Sequence, residues 1–467
     1  MWDQLPELIL TQILSQLSRG DRASAGQVCR SWNRALSSPI LWRSVTVLID
    51  RDLRDDFPLA GKLAIRYGQH MRSLELAWSR PYVCPKEPHI RRNVQAAAGV
   101  GFLSVVRAKD VQLKKLILTD WIFSCKWGNR GKLLHALGNF LGFVIRRSAD
   151  ERDILAATSR HPRPRQPFSS IGGFRCQRNL ETLSLLNANL SMADALRLLG
   201  IAIRSSGPRM VSLDLRGTFR EWQAPHSNPR YLRLLGRLHA LGSLRLDYSA
   251  LSDDALDALA SAASQALQTL HVSVRDSDSR QHILADAAWN NLVRACPGLI
   301  VSYTIARFLV NISHHEDVSY LLLPSVPLGC FHMFSGHVWD QNRSRNFRST
   351  VELLISYYTN TLAEVILQLR NNRESLDDLL VSMLIRCKRL NQLQYDGIIR
   401  SLATVKDMCQ LQAEQRTHFR KIHVKPRNVN PRNRILLESI GCQYERKMHE
   451  QGVDFRIEDS ASVFHFY

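Results

Sequence analysis

The sequence lacks the features of secreted and membrane-spanning proteins. It has no C-x-x-C pair, its nine cysteines are odd in number, and its longest apolar stretch, 133–145, is interrupted by polar residues and glycine. A membrane helix needs about 20 apolar residues, and disulfide frameworks usually belong to shorter, cysteine-denser secreted chains. The first residues also lack the cationic segment and apolar run of a secretory signal. We therefore predict a soluble protein with reduced thiols in the cytoplasm, the nucleus or both.

Motifs of catalysis and metal binding are missing as well. No G-x-x-x-x-G-K-[ST] loop, G-x-G-x-x-G turn, G-x-S-x-G elbow or H-E-x-x-H helix occurs. The segment 314–317, His-His-Glu-Asp, carries metal-capable side chains, but the side chains of adjacent residues point apart and do not readily chelate one ion. We predict a solvated loop there, and a non-catalytic protein that uses no metal and no cofactor.

Lysine is scarce, whereas arginine is abundant. Only 12 of the 62 basic residues are lysine, the other 50 are arginine, and the net charge is +20. Arginine suits planar, bidentate contacts with carboxylates and phosphates, although a biased base composition of the coding sequence gives the same excess. The arginines are spread over the whole chain, and no nucleic-acid-binding motif accompanies them. A basic nucleic-acid-associated protein therefore stays an alternative, while specific nucleic-acid recognition is not predicted.

The first fifty residues predict three short helices. Leu5-Pro6-Glu7 opens the first, because proline fits the first helical turn, and Gly20 is predicted to end it. Apolar residues at 25, 28, 29, 32 and 36 share one face of the second helix, and Pro39 precedes a short third element. Helices this short cannot bury such broad apolar faces among themselves. This segment is therefore predicted to need a partner, either another chain or the rest of this one.

These positions resemble the F-box signature in order and spacing, from residue 2 to about residue 47. The matching residues are Leu5-Pro6, Ile13-Leu14, Leu17, Val28-Cys29-Arg30-x-Trp32 and Ser38-Pro39-x-Leu41-Trp42. One departure is the acidic residue usually found two places after the proline, which follows it directly here, as Glu7. The resemblance implies docking onto the Skp adaptor of a cullin–RING ubiquitin ligase. It assigns adaptor contacts, direct or supporting, to Leu5, Pro6, Ile9, Ile13, Leu14, Leu17, Val28, Cys29 and Trp32.

A leucine-rich phrase recurs through the rest of the chain: an apolar residue, two others, an apolar residue, one other and an apolar residue. Copies start at 113, 180, 210, 241, 267, 362, 390 and 419, with a further one at 318. Neighbouring starts within 180–267 and within 362–419 lie 26 to 31 residues apart, close to the roughly 20 to 29 residues of leucine-rich repeats. Helix-start signals lie between the phrases at Ser191, Ser252 and Ser375.

Strand, turn and helix at a steady period predict an α/β fold, in which a three-helix F-box precedes an irregular leucine-rich-repeat solenoid. Its parallel strands would line the concave face, and its helices would cover the convex face. The position of the usual Asn or Cys ladder holds Ala188, Thr218 and Ser249, so some turns are expected to lack that ladder.

The predicted domains are an F-box over 1–47 and repeats over 48–467. Two segments break the period and are predicted insertions, one near 145–178 and one near 336–348. The first is rich in arginine, proline and glycine, which is typical of an exposed loop. A third basic segment, 420–434, carries six arginines or lysines and no acidic residue, and its part 427–432 is predicted to be turn-like.

An F-box followed by such repeats resembles the substrate receptors of Skp–cullin–F-box ubiquitin ligases, and most closely the F-box-only proteins thirty-nine and thirty-three. The phrases that carry the finer resemblance are Asn371-Asn372-x-Glu374-Ser375-Leu376-Asp377, Ile385-x-Cys387-x-x-Leu390 and Leu241-x-Ser243-Leu244-x-Leu246. The resemblance implies a substrate-recognition subunit that docks the adaptor and holds a client protein on the solenoid. Such a subunit needs no catalytic residue, because other subunits carry the thioester chemistry and the receptor contributes proximity.

Side chains that alternate with the strand leucines are predicted to face the client. The predicted client-binding residues are Arg216, Arg245, Asp247 and His271. Their cation-rich mixture favours an acidic or phosphorylated segment of the client. Two further alternatives stay open: a scaffold that binds the adaptor without client turnover, and a plain leucine-rich interaction protein whose N-terminal helices only cap the solenoid.

Overall fold

The computed structural model describes most of the chain in twelve stretches and two single residues. These are 5–17, 19–48, 52, 59–77, 89–119, 130–142, 180–220, 223–275, 282–306, 318–334, 347–369, 371, 374–427 and 429–458, with residue 371 and residue 52 standing alone. The predicted insertion near 145–178 and the loop at 314–317 lie outside the described residues, as does 336–346. The described residues belong to two compact units: Met1–Gln223 with Arg237–Leu241, and Ala224–Gly236 with Gly242–Tyr467.

The first unit begins with a small helical bundle. Its elements are α1 (Glu7–Gln16), α2 (Arg19–Ala25), α3 (Arg30–Ala35) and a 3-10 turn (Pro39–Trp42). Buried apolar side chains from all four elements form its core, namely Leu10, Leu14, Ala25, Ala35 and Leu41. This bundle accounts for the predicted helical trio, although two of the predicted helix boundaries are wrong.

The predicted second helix is in fact two helices separated by a turn. The chain leaves the helix at Gly26, where a Cβ atom would stand 2.4 Å from Cδ1 of Leu36, so α3 approaches this turn closely. Gly20 does not end the first helix either, because α1 ends at Gln16 and Gly20 lies within α2. Glycine near a helix end was therefore an unreliable boundary signal in this segment.

Five parallel strands follow in the first unit, each paired with the next in chain order. They are β1 (Ser44–Leu48), β2 (Ser73–Ala77), β3 (Lys115–Thr119), β4 (Thr182–Leu186) and β5 (Ser212–Asp214). The helices of this part are α4 (Leu59–Tyr67), α5 (His89–Ala108), α6 (Arg130–Leu141) and α7 (Met192–Ser206). Apolar residues stack in register across the strands, as Val45, Leu74, Leu116, Leu183 and Leu213 do, and all five are buried.

The second unit repeats the same arrangement with eight parallel strands. They are β6 (Ser243–Asp247), β7 (Thr269–Arg275), β8 (Ile300–Ala306), β9 (Leu328–Phe334), β10 (Glu364–Gln368), β11 (Gln392–Ile398), β12 (Lys421–Arg427) and β13 (Asp454–Ile457). Its helices are α8 (Pro229–Leu235), α9 (Asp253–Ala262), α10 (Asp286–Ala295), α11 (Phe347–Tyr357), α12 (Asp377–Arg386), α13 (Leu402–Ala413) and α14 (Pro431–Glu450). Parallel strands that alternate with helices confirm the predicted leucine-rich-repeat fold class.

Eight copies of the leucine phrase coincide with a strand, and their apolar residues are buried. The prediction of a ninth copy at 318 is wrong. There the chain forms a 3-10 turn, Ser319–Leu321, and the strand β9 starts only after Pro327. Two prolines, at 324 and 327, remove backbone donors from this stretch, so the apolar spacing at 318 serves a turn. The second insertion also ends earlier than predicted, because Phe347 and Arg348 already belong to α11.

The predicted helix starts and ladder positions have mixed outcomes. The hydroxyl groups of Ser191 and Ser252 accept hydrogen bonds from the backbone N–H groups of Asp194 and Ala255, as N-caps do. Ser375 does not cap its helix, because its hydroxyl donates to the Asp377 carboxylate instead. At one ladder position the buried Thr218 hydroxyl donates to the Leu185 carbonyl, 2.9 Å away, so threonine replaces the usual asparagine there.

Among the described residues, no helix is long and apolar enough to cross a membrane.

Candidate functional site

Four large apolar side chains of the N-terminal bundle are exposed. Leu8 and Ile9 on α1 are 64% and 40% exposed, Val28 in the turn after α2 is 66% exposed, and Ile40 in the 3-10 turn is 52% exposed. We call these four residues the apolar F-box surface. Single exposed apolar residues are common on proteins, but here four lie on one small bundle that the sequence predicted to have apolar side chains left over after folding. Whether a partner covers them stays a prediction.

The predicted adaptor residues occupy three kinds of position in the bundle. Pro6, Ile9 and Val28 are exposed, whereas Leu14 is fully buried and belongs to the core. The remaining five are half-buried: Leu5, Ile13, Leu17, Cys29 and Trp32. Of these, Leu5, Leu17 and Trp32 pack against the core, so they connect it to the surface.

Two members of the apolar F-box surface, Leu8 and Ile40, were not predicted. Both lie next to residues that the helical pattern did identify, and apolar periodicity alone cannot tell a buried position from an exposed one at the edge of a helix face. Only the packing of the bundle distinguishes them.

One arginine that the sequence pattern missed holds the bundle elements together. The Arg22 guanidinium donates to the backbone carbonyls of Leu14, Ser15 and Leu41, at 2.8, 2.9 and 3.1 Å. It therefore joins the C-terminal end of α1, where carbonyls lack helical partners, to the 3-10 turn. Burial lowers the pKa of Arg22, yet the guanidinium stays charged at neutral pH.

The bundle is also fixed to the first repeats. The Trp42 ring donates its Nε1–H to the Leu36 carbonyl at 2.8 Å and stacks on Tyr67 of α4. The Arg43 carbonyl accepts hydrogen bonds from the N–H groups of Arg72 and Ser73, both at 2.8 Å, where β2 begins. Side-chain and backbone contacts thus connect the apolar F-box surface to the repeat sheet of the first unit.

Of the four predicted client residues, three lie on the sheet of the second unit. Arg245 on β6 is exposed and is the register partner of the half-buried His271 on β7, so these two are neighbours on the sheet. Asp247 is only 4% exposed, and its carboxylate, together with burial, raises the pKa of Tyr231. Arg216 lies in the first unit, in the turn after β5.

Arg216 already has a carboxylate partner. Its guanidinium makes two hydrogen bonds to Asp214, at 3.0 and 2.7 Å, and its side chain is 25% exposed. A bidentate pair of this kind is stronger than a neutral hydrogen bond, so Arg216 is less available to a client than Arg245.

The sheet of the second unit carries further charged residues that the sequence reasoning missed. One register row runs from Arg245 and His271 through Ser302, Cys330, Glu364, Gln392 and Lys421 to Asp454. Beside this row lie His332, Asp396, His423, Lys425 and Arg427. We call the charged members of both groups the charged sheet face: Arg245, His271, His332, Glu364, Asp396, Lys421, His423, Lys425, Arg427 and Asp454.

Several residues of the charged sheet face interact with each other. His332 donates to Glu364 at 3.1 Å, and this hydrogen bond lowers the pKa of Glu364. Arg427 makes two hydrogen bonds to the buried Asp396, at 2.5 and 3.0 Å. Burial lowers the pKa of His423, although its 3.0 Å contact with Asp454 acts in the opposite direction.

A simple signal in the sequence could have located part of this face. Basic residues occur at every second position along β12, at 421, 423, 425 and 427. This alternation is typical of side chains on one face of a strand, and it runs through the leucine phrase that starts at 419, but the segment is otherwise predicted only to be basic and, over 427–432, turn-like. The turn-like part begins only after β12, and α14 starts at Pro431.

Other reactive side chains of the described residues have structural surroundings. His226 and His282 stack with ring centroids 4.0 Å apart, and each ring bonds a backbone carbonyl, of Ser249 and Leu251 respectively. Burial raises the pKa of the Cys387 thiol to about 11 and that of the Cys409 thiol to about 12, so both stay protonated at neutral pH. No group of three metal-ligating side chains occurs among the residues described.

Comparison with known proteins agrees with both parts of the chain. The F-box-like family matches residues 2–47. F-box/LRR-repeat protein 8 of Homo sapiens is 27% identical over 391 residues, which cover 83% of this chain and 87% of that protein. The Bos taurus protein of the same name is 26% identical over 399 residues, covering 85% and 90%. F-box/LRR-repeat protein 21 of Ovis aries is 23% identical over 309 residues, covering 64% and 58%.

These similarities support an F-box followed by a leucine-rich-repeat region. The finer resemblance, to the F-box-only proteins thirty-nine and thirty-three, gains no support from them, because these relatives are F-box/LRR-repeat proteins.

Proposed function

We propose that this chain is the substrate-recognition subunit of a Skp–cullin–F-box ubiquitin ligase, without catalytic activity of its own. The observation that carries the proposal is the apolar F-box surface, which remains exposed on a segment that matches the F-box-like family. Its core is complete without Leu8, Ile9, Val28 and Ile40, so these side chains are not needed to fold the bundle. A helical partner such as the Skp adaptor would cover them and gain the free energy of apolar burial.

In this proposal the predicted adaptor residues have three different roles. Pro6, Ile9 and Val28 contact the adaptor, and Leu14 supports them from the core. The half-buried Leu5, Ile13, Leu17, Cys29 and Trp32 line the margin of the contact. Residues near 1–47 then serve adaptor docking, and the repeats that follow serve the client.

The charged sheet face is the proposed client site. It projects from parallel strands, which hold side chains in fixed positions, and its exposed Arg245 and half-buried His271 are adjacent. Because the Arg427–Asp396 pair is internal, Arg245 and Lys421 are the cations best placed to meet an acidic or phosphorylated client segment.

The first experiment is binding of the full chain to the purified Skp adaptor. Ile9→Asp and Val28→Asp place a charge in the proposed contact, and each is expected to weaken binding by about tenfold or more. Ile385→Asp is the matched control, because Ile385 on α12 is 52% exposed and lies outside the F-box. Isothermal titration calorimetry measures the affinities, and circular dichroism verifies that the variants are folded. A folded, monodisperse wild-type chain that does not bind the adaptor would mean that the helices only cap the repeats.

The client site needs its own test with a defined probe. A ten-residue polyglutamate peptide is expected to bind the full chain weakly and to lose most of its binding in the Arg245→Glu variant, with a strong dependence on salt. Arg230→Glu on α8 is the control, since Arg230 is exposed on the helix side of the same unit. Equal loss in both variants would show that only net charge matters.

A further inference from the structure

A groove of about 490 Å³ lies between α5 and α6, on the helix side of the first unit. The α5 wall carries Val100, Leu103, Ser104 and Arg107, and the α6 wall carries Gly131, Lys132, His135, Ala136 and Asn139. This volume falls within the roughly 300 to 1,000 Å³ of ligand-binding sites. The groove contains neither the apolar F-box surface nor any residue of the charged sheet face.

The groove has an apolar floor. Leu103 is buried, and Val100 and Ala136 are half-buried, so the base offers aliphatic surface that is only partly covered. A ligand that fills the groove must therefore present an apolar face to this floor. Ser104 does not change this, because its hydroxyl donates to the Val100 carbonyl of its own helix at 2.9 Å.

One rim of the groove carries basic side chains. Lys132 and His135 are exposed, and Asn139 is half-buried one turn further along α6. Neither Lys132 nor His135 makes an ion pair or a side-chain hydrogen bond with any residue that the structure describes, and Arg107 adds a third basic group from α5. Lys132 and His135 thus offer donors to an anionic ligand at low cost, since neither has to leave a described partner, whereas Arg107 already interacts with another group.

The lining residues run for about two helical turns along each wall. Lys132, His135 and Asn139 stand at i, i+3 and i+7, and Val100, Leu103, Ser104 and Arg107 cover the same number of turns on α5. Seven residues of helix span about 10 Å, which is also the distance between the first and last anchors of an amphipathic helix that docks in a groove. The groove is therefore long enough to hold about two turns of such a helix.

We infer that the α5–α6 groove binds an acidic amphipathic helix of a partner protein. The apolar face of that helix lies on Val100, Leu103 and Ala136, and its Asp or Glu side chains meet Lys132 and His135. This would give the protein a docking surface on its helix side, separate from the proposed adaptor and client sites, and the inference does not depend on the function proposed above.

The test uses the full chain and a fluorescein-labelled 14-residue peptide. The peptide has leucine at positions 3, 6, 10 and 13, glutamate or alanine elsewhere, and a hydrocarbon staple that keeps it helical; a peptide of the same composition with scrambled order is the control. Fluorescence anisotropy is expected to show saturable binding of the helical peptide and at least tenfold weaker binding of the scrambled one. The Lys132→Glu/His135→Glu variant is expected to lose at least tenfold in affinity.

Two controls make the outcome decisive. Lys406→Glu on α13 reverses an exposed charge elsewhere and should leave the affinity unchanged, and hydrogen exchange should show protection by the peptide over 100–108 and 131–141. Binding that is insensitive to Lys132→Glu/His135→Glu, or protection confined to other segments, would overturn the inference. A second result would overturn it too: sodium dodecanoate slows hydrogen exchange in the groove helices and the helical peptide does not. The groove would then be a site for a small amphipathic anion.

Discussion

The indole ring of Trp42 lies flat against the phenol ring of Tyr67, with centroids 4.6 Å apart and planes 9° apart. Trp42 ends the 3-10 turn of the F-box-like segment, and Tyr67 ends the first repeat helix, α4. The Arg66 guanidinium lies 5.1 Å from the Tyr67 centroid, which extends the stack by a cation–π contact. The ring pair therefore couples the two parts of the first unit.

This coupling can be measured with a double-mutant cycle. Trp42→Ala and Tyr67→Ala are each expected to lower the free energy of unfolding, and the double variant should lose less than the sum, with a coupling of about 1 kcal/mol. Urea unfolding of the full chain, followed by circular dichroism, gives the four values. Additive losses would show that the stack contributes no energy of its own.

Arg22 is expected to stabilise the N-terminal bundle through its three carbonyl contacts. Arg22→Met keeps most of the aliphatic stem but removes the donors, and should lower the free energy of unfolding by about 2 kcal/mol, because the carbonyls of Ser15 and Leu41 lose this donor and that of Leu14 keeps only the Leu17 N–H. Urea unfolding of the variant and of the wild-type chain gives the two free energies of unfolding, and their difference tests this prediction.

Arg34→Met is the matched control for Arg22→Met. Arg34 is exposed on α3, and its replacement should change the free energy of unfolding by no more than about 0.5 kcal/mol. If both variants were equally destabilised, the loss would reflect general charge effects of the basic bundle and not the three hydrogen bonds of Arg22.

The stability of the second unit should fall in mild acid. Burial lowers the pKa of His226 below its ordinary 6.5, and the stacked His282 lowers it further, against the opposing hydrogen bond to the Ser249 carbonyl. The unfolded chain therefore binds this proton at a higher pH than the folded chain does. The stabilisation is complete above about pH 7.5, decreases as the pH falls through 6.5, and levels off below the folded-state pKa.

Thermal unfolding between pH 8 and pH 5 tests this dependence. Because burial also lowers the pKa of His423, that residue acts in the same direction, and His226→Gln should flatten the pH dependence only in part. His418→Gln changes an exposed histidine and should leave the slope as in wild type. A slope unchanged by His226→Gln would contradict the assignment.

The repeat core was predictable because buried strand residues must recur at a fixed spacing. Leu183 with Leu185, and Leu244 with Leu246, fall in the predicted phrases and are fully buried on β4 and β6. The strands β8 and β9 were missed because tyrosine, cysteine and glycine interrupt their apolar pattern. Exposure at the F-box was harder to predict, since Leu8 and the buried Leu10 have the same chemistry and only packing separates them.

The charged sheet face was missed for a different reason. Its residues come from strands up to about two hundred positions apart in the sequence, and only the register of parallel pairing brings Arg245 and Lys421 into one row. Alternation within a single strand can be read from the sequence. The register between strands depends on helix and turn lengths that leucine spacing does not determine.

Asn371 takes the place of a ladder residue in the second unit, and its amide uses both donor and acceptor. Its oxygen accepts from the Ile398 N–H at 2.8 Å, and its nitrogen donates to the carbonyls of Ile398 and Glu374, at 2.9 and 3.1 Å. The residue is only 2% exposed. Asn371→Ala should therefore lower the free energy of unfolding by about 3 kcal/mol, because the Ile398 N–H and the Glu374 carbonyl lose this partner and the Ile398 carbonyl keeps only the Tyr395 hydroxyl, at 3.0 Å.

Asn371→Asp distinguishes the hydrogen bonds from packing, because it has nearly the same shape. A carboxylate still accepts from the Ile398 N–H but faces two carbonyl oxygens without a proton to donate, so this variant should be at least as unstable as Asn371→Ala at pH 7. Protonation restores a donor, and its stability relative to wild type should rise as the pH is lowered towards 4. Urea unfolding at both pH values measures this, with the exposed Asn291→Ala as control. If Asn371→Asp were as stable as wild type at pH 7, the amide donors would contribute nothing and shape alone would fix the turn.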